Sequence, residues 1–173
     1  MNGKKELVNN ILLHCYTDQQ AHHCLHLWRK IMENILYKKN LAVEKNSDAF
    51  IALAKKTLSQ EDKKFFLGWS VSFLNELTPE NFPNFIEGVE SMLYELDTIP
   101  VWLAFTPKYE LEKKIYMFFA EKIKGNFLLS IHVDKSIIGG VVFEYKNSLY
   151  NYSIRQKVLD SKTDVKKIIS AYA

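Results

Sequence analysis

Cysteine is scarce in this chain: two residues, Cys15 and Cys24, in 173. Two thiols do not make the disulfide framework of a small secreted domain, so they read as reduced thiols in a cytosolic protein. Four prolines and six glycines exclude a collagen-like or low-complexity chain. No apolar run reaches the ~18 residues that a bilayer span requires. Met1-Asn2-Gly3-Lys4-Lys5-Glu6 lacks the apolar stretch of a secretory signal. A phosphate loop is missing as well, because the glycine pair Gly139-Gly140 is not followed by lysine with serine or threonine. A strong excess of one charge is also absent: the net is +3, and the +5 carried by residues 99–173 would favour an acidic partner but is too weak to imply nucleic acid by itself.

What is present is apolar and aromatic, 47% and 13% of the chain, as a folded soluble protein needs. Charge is unevenly placed. Residues 1–98 carry 11 basic and 13 acidic side chains, a net of −2, whereas residues 99–173 carry 12 and 7, a net of +5. The shift coincides with Ile99-Pro100, a poor place to continue a helix. Two domains are therefore expected, 1–98 and 99–173.

Helical spacing dominates the first domain. Leu7, Ile11 and Cys15 recur at intervals of four. Thr17-Asp18 caps a second helix carrying Leu25, Trp28, Met32, Ile35 and Leu36, closed by Lys38-Lys39-Asn40. Ser47-Asp48 opens a third, with Phe50, Leu53, Ala54 and Leu58. Ser59-Gln60-Glu61-Asp62 caps a fourth that carries Phe65, Phe66, Trp69, Phe73, Leu74 and Leu77 up to Thr78-Pro79. A fifth starts near Glu80 and runs through Phe82, Phe85, Ile86, Val89, Met92, Leu93 and Leu96. Five or six short amphipathic helices predict a bundle.

After Thr98 the period changes. Ile99 to Phe105 reads as a strand and Lys108 to Lys124 as a helix, with Leu111, Ile115, Phe118, Phe119 and Ile123 on its apolar stripe. Phe127 to Val133 alternates as a half-buried strand. Asp134-Lys135-Ser136 turns the chain. Ile137 to Tyr145 reads as the next strand, its Gly139-Gly140 marking a bulge or a close backbone approach. Lys146-Asn147-Ser148 turns again into a strand from Leu149 to Tyr152. Ser153 caps a last helical region toward the C-terminus, with Asp160-Ser161 as its candidate break. The predicted class is α+β: a helical bundle, then a small α/β domain with a three- or four-stranded sheet.

Residues with chemical potential are few. His14, Cys15, His22, His23, Cys24 and His26 crowd one window, and His22 and His26 share a helix face. The gap from Cys15 to Cys24 fits no standard zinc spacing, and carboxylates nearby are limited to Asp18, so no metal site is expected. Asp134 and Ser136 have no ordered base beside them and read as a turn. Lys162, Lys166 and Lys167 read as a solvated basic end. No catalytic residue and no cofactor are expected.

The C-terminal stretch carries a more specific signal. Ala104, Pro107, then Val133-Asp134, Ser136-Ile137-Ile138-Gly139-Gly140-Val141-Val142, then Tyr150 and Ser153-Ile154-Arg155 follow one another at fixed spacing. This resembles the closing pattern of the delta subunit of F-type ATP synthases, the oligomycin-sensitivity-conferring protein family, over about residues 98–160. Lys135 stands where that pattern has proline, and Asn151-Tyr152 where it has Asp-Gly. The family's "Tyr-Ala-x-Ala-Leu" opening is replaced by bulkier residues between Leu7 and Tyr16, so the chain reads as a divergent member.

The resemblance implies a non-catalytic peripheral-stalk subunit on the cytoplasmic face of the membrane, soluble when isolated and touching the bilayer only through its complex. Its helical domain would hold the alpha subunits of the catalytic head, with Leu7, Ile11, Phe65, Trp69 and Phe73 forming the groove. Its α/β domain would hold the b-type subunits, with Gly139, Gly140 and Arg155 at the contact. Plain core packing is the competing reading for each apolar residue, since large apolar side chains are more often buried than not. For Arg155 the competing reading is a solvated helix start. The rival function is an RNA-binding module built on the basic second domain; no Gly-x-x-Gly clamp precedes a helix, and nucleic acid is not an expected partner.

Overall fold

The computed structural model describes residues 2–38, 45–66, 69 and 71–161. The chain divides into two compact units, Met1–Leu96 and Asp97–Ala173. The architecture is α+β, with a helical first unit and a four-stranded sheet in the second.

The first unit holds α1 (Asn2–His14), α2 (Asp18–Lys38), α3 (Asn46–Thr57), α4 (Gln60–Lys63) and α5 (Phe82–Tyr94). The α2 start follows from Thr17: its hydroxyl accepts from the Gln20 N–H at 3.1 Å, and the Gln20 side chain reaches back to the Tyr16 N–H at 2.9 Å. Thr78 and Asn81 exchange bonds ahead of α5, Thr78 N–H to Asn81 Oδ1 at 2.9 Å and Asn81 N–H to Thr78 Oγ1 at 3.3 Å. That box sets the entry, and Pro83 occupies the first turn, where a missing N–H costs nothing. Lys39 and Asn40, expected to end α2, lie outside the described residues.

The fourth helix departs from expectation. It is not one helix from Ser59 to Leu77. Beyond α4 the chain tightens into a 3₁₀ turn, Lys64–Phe66, and a second 3₁₀ turn follows at Ser72–Glu76. Ser59 does cap the start, accepting from the Asp62 N–H at 3.0 Å. The residues after it include Phe65, Phe66, Trp69, Val71, Ser72 and Phe73. These aromatic, β-branched and hydroxyl side chains are weak helix formers. Asn46 on α3 also donates to the Leu74 and Leu77 carbonyls, both at 2.9 Å, and so fixes the non-α path from another element.

The bundle closes around Trp28, which is fully buried. Its ring stacks on Phe73 at 6.4 Å and Phe85 at 5.8 Å and tilts against Phe82 at 6.0 Å. Leu7, Ile11, Met32, Leu74 and Val89 fill the rest. Lys4 ties α1 to α5 by donating to the Asn84 carbonyl at 2.8 Å.

The second unit holds β1 (Asp97–Leu103), α6 (Tyr109–Ala120), β2 (Phe127–Val133), β3 (Val141–Tyr145) and β4 (Ser148–Asn151), then a helix, α7, over 154–161. The sheet order is β2-β1-β3-β4. β1 runs parallel to β2, with Val101 opposite Ile131, and antiparallel to β3, with Trp102 opposite Val142. Pro100 lies within this central strand, in the part that pairs with β2 alone. A residue with no N–H is tolerated there because β3 begins pairing only at Val101. Ile99, Val101, Leu103, Phe127 and Leu129 form the core with Phe119 of α6. Phe118, expected on the same stripe, is turned outward and 51% exposed. Adjacent helix positions lie about 100° apart, so one of Phe118 and Phe119 must leave the core face.

One further expectation changes. Strand β3 starts at Val141, not Ile137: Ile137 closes a 3₁₀ turn, Lys135–Ile137, and Ile138 has φ 68°. Gly139-Gly140 therefore lies in the turn ahead of the strand instead of forming a bulge inside it. The other turn of the sheet is a two-residue hairpin, Lys146 at φ 50° and Asn147 at φ 58° between the paired Tyr145 and Ser148. Both central φ values are positive, which matches the strand twist. Asp160 and Ser161 are both helical, the Ser161 hydroxyl donating to the Lys157 carbonyl at 2.8 Å, and the continuation past this candidate break lies outside the described residues. Lys162, Lys166, Lys167 and the rest of that segment lie outside the described residues.

Candidate partner-binding site

A cleft of about 510 Å³ opens in the second unit. The sheet face turned away from α6 gives it Trp102, Val142 and Leu149. The turn after β2 gives Asp134 and Ser136, and α7 gives Arg155 and Leu159. The cleft exists because the glycine pair lets the chain fold back. Gly140 has φ 84°, and a Cβ there would run into the Tyr152 carbonyl oxygen. A Cβ at Gly139 would stand 2.8 Å from Ile154 Cδ1. Around them the Ile154 N–H donates to the Gly139 carbonyl at 2.9 Å and the Tyr152 N–H to the Val141 carbonyl at 2.9 Å. Ser153 then caps α7, accepting from the Gln156 N–H at 3.1 Å. These bonds set where α7 begins.

Electrostatics at the rim are local. The Asp134 N–H donates to the Leu103 carbonyl at 2.8 Å, and its side chain accepts from the Ser136 N–H at 2.9 Å. The Ser136 hydroxyl, then the Ser136 N–H, hold the Asp134 carboxyl below its ordinary value, and the Arg155 charge adds to this. Arg155 is itself exposed. The rim thus carries one fixed anion and one cation beside an apolar floor.

In the first unit, Leu7, Ile11, Phe65 and Phe73 are buried and Trp69 is half-buried. Side chains without accessible surface present no area to a partner in this conformation. The fold does bring the first helix and the fourth region together. A Cβ at Gly3 would lie 3.1 Å from the Phe73 ring, and α1 packs on the Lys64–Phe66 turn. Trp102, Leu149 and Leu159 were not singled out from sequence. Period-two spacing around Trp102 marks it as lying opposite the Val101 face, which is the one signal that could have found it.

The histidines His22 and His23 take separate partners, whereas Cys15 and Cys24 remain neighbours. The His22 ring meets Tyr94 at 5.3 Å, and His23 Nε2 lies 2.9 Å from Asp62 Oδ1. Cys15 and Cys24 are buried and free of disulfide. Burial, and then the Cys15 thiol beside it, push the Cys24 thiol well above its ordinary value. Among the described residues no group of three or more His, Cys, Asp or Glu is arranged to hold a metal ion. No helix among them is long and apolar enough to cross a membrane.

Two comparisons bear on this geometry. The family described as ATP synthase delta (OSCP) subunit matches residues 29–165. A curated relative, the ATP synthase subunit delta of Wigglesworthia glossinidia brevipalpis, is 27% identical over 140 residues, covering 76% of this chain and 79% of its own length. The matched range begins within α2, so α1 with Leu7 and Ile11 lies ahead of it. It takes in the sheet, the glycine turn and the cleft. With most of its length matched, the chain belongs to the ATP synthase delta (OSCP) subunit family.

Proposed function

We propose that this protein is the peripheral-stalk subunit of a rotary ATP synthase. It links the alpha subunits of the catalytic head to the membrane-anchored b-type subunits and catalyses nothing itself. The observation that carries this reading is the family match over residues 29–165. A stator link must resist torque, which calls for two gripping surfaces on stable cores. The helical unit, residues 1–98 as read from sequence, would hold the alpha subunits. Its Leu7, Ile11, Phe65 and Phe73 act as the packed floor under the contact, with Trp69 at its margin. The unit from residue 99 onward would hold the b-type subunits through the cleft that Gly139 and Gly140 shape and Arg155 borders. The protein would then sit at the membrane's cytoplasmic face as a peripheral subunit.

The test is mass spectrometry of what a tagged full chain retains from its native membranes. Recovery of alpha and b-type subunits supports the reading. Retention of RNA with a steep salt dependence, and no rotary-motor subunit, would replace it with nucleic-acid binding.

A further inference from the structure

Leu7, Ile11 and Cys15 are fully buried and recur every four positions, and so do Cys24, Trp28 and Met32 on α2. Cys15 extends the α1 ladder by one rung, its N–H donating to the Ile11 carbonyl at 2.8 Å. Only Tyr16 and Thr17 then separate it from α2, and the two helices pack as neighbours. The two buried series meet at this connection, where the Cys15 and Cys24 side chains are in hydrogen-bond contact. Both thiols have no exposed surface, so a reagent reaches them only when the end of α1 lifts from α2. The other end of α1 is tied down elsewhere: Gly3 lies against the Phe73 ring, and Lys4 donates to the Asn84 carbonyl. The thiol pair is therefore placed where a covalent bond would fasten the one end of α1 that those contacts do not hold.

We propose that Cys15 and Cys24 form a reversible intramolecular disulfide under oxidising conditions, and that this bond locks α1 onto α2. The oxidant is a small-molecule disulfide of the glutathione class. When the end of α1 lifts, the Cys15 thiol gives its proton to water and its sulfur attacks one sulfur of the oxidant. A mixed disulfide forms, and the other half of the oxidant leaves as a thiolate. The Cys24 thiol then gives its proton to water and its sulfur attacks the Cys15 sulfur, expelling the second half. Two protein thiols lose two electrons and two protons; the oxidant takes up both and departs as two thiols. Cys15 attacks first because it moves outward with α1. Cys24 stays within α2, where burial, then the Cys15 thiol, then the Asp62 charge favour its protonated form. In a compartment that keeps thiols reduced, such a bond is transient and reports on redox state. The inference does not depend on the stator reading.

The test uses the purified full chain, held for hours in glutathione buffers that run from fully reduced to fully oxidised, then quenched with acid and weighed intact. The expected result is loss of the mass of two hydrogens, at a midpoint set by the buffer ratio and restored by reductant. Trypsin should place that loss within residues 6–29, which hold both cysteines and no internal lysine or arginine. The oxidised chain should unfold at a higher urea concentration, its folding constant raised about tenfold or more by the closed loop. Amide exchange over residues 7–15 should slow by a similar factor. Cys15→Ala and Cys24→Ala should each give the same urea midpoint in reduced and oxidised buffer. Comparing the two buffers within one variant cancels the cost of the lost thiol, and the wild-type pair of buffers decides the matter if a variant does not fold. Glutathione adducts on single cysteines without the internal bond would overturn the inference. So would chains joined to one another, or a native chain that keeps both thiols at every ratio. A disulfide that lowers the urea midpoint would overturn it as well, since that bond would strain α1 against α2 instead of locking it.

Discussion

Gly140 stands so close to Tyr152 that the Tyr152 carbonyl oxygen occupies the space a Cβ would need. That packing joins the turn before β3 to the start of α7, and the second unit depends on it.

Gly140→Ala is therefore expected to destabilise the second unit by about 2 kcal/mol or more, from the left-handed φ and the backbone collision together. Gly125→Ala is the control, since Gly125 also has a positive φ, 114°, but nothing within 4 Å of its Cβ position. It should cost only the conformational part, about 1 kcal/mol. Urea unfolding of the full chain separates the two. Gly140→Leu should also weaken capture of b-type subunits while the helical unit keeps its circular dichroism signal, and unchanged capture would count against the cleft.

Trp28 is buried against three aromatic rings, and its Nε1 meets no acceptor among the described residues. Trp28→Ala should cost about 3–5 kcal/mol from lost contacts and the cavity left behind. Trp28→Phe should cost less, because the phenyl ring leaves a smaller cavity, while both changes remove the buried donor whose desolvation is uncompensated. A thermal denaturation series gives both values, and equal losses in the two variants would refute ring packing as the source of the cost.

Asp62 links α4 to α2 through His23, 39 positions away in the chain. Its hydrogen bond to His23, then that to Ser59, hold its carboxyl below the ordinary value. A depressed folded value contributes stability above the unfolded carboxylate range, ~3.9, and loses it as pH falls through the folded value. Asp62→Asn should therefore lower stability near neutrality and make no difference in strong acid. Both partners are partly hydrated, so the effect should stay near or below about 0.5 kcal/mol. Denaturant midpoints measured from pH 7 down to pH 2 test the sign.

Cys15 and Cys24 are buried, and the Cys24 thiol is held in its protonated form. Neither is expected to react with a thiol reagent such as Ellman's on the folded protein over minutes, and both should react at once in denaturant. Rapid modification of the native chain would show that α1 or α2 opens readily.

The helices that could be read from sequence were those with strong caps and a clean stripe. Thr17 and Ser59 each make the expected bond, and Trp28 and Met32 fall where the spacing put them. The fourth helix was misread because its apolar spacing is helical while its residues are poor helix formers and Asn46 binds its carbonyls. Spacing alone carries neither fact. The glycine turn was legible as a close approach and wrongly placed inside a strand, because the positive φ of Ile138 has no mark in a β-branched side chain. At the cleft, Arg155 and the glycine pair were legible as a motif. Trp102 and Leu149 were not, since their exposure depends on which face of the sheet α6 covers.

Strand β1 lies between β2 and β3, yet it precedes both in the chain. During synthesis it leaves the ribosome with two open edges and waits for Phe127 and everything after it. A nascent Ile99-Pro100-Val101-Trp102-Leu103 is the kind of segment that pairs with the wrong neighbour. Pro100 denies one rung to any such stray strand, while its native pairing with β2 tolerates the gap. The residue that looked from sequence like a mere domain border thus acts as a gatekeeper while the sheet is being built.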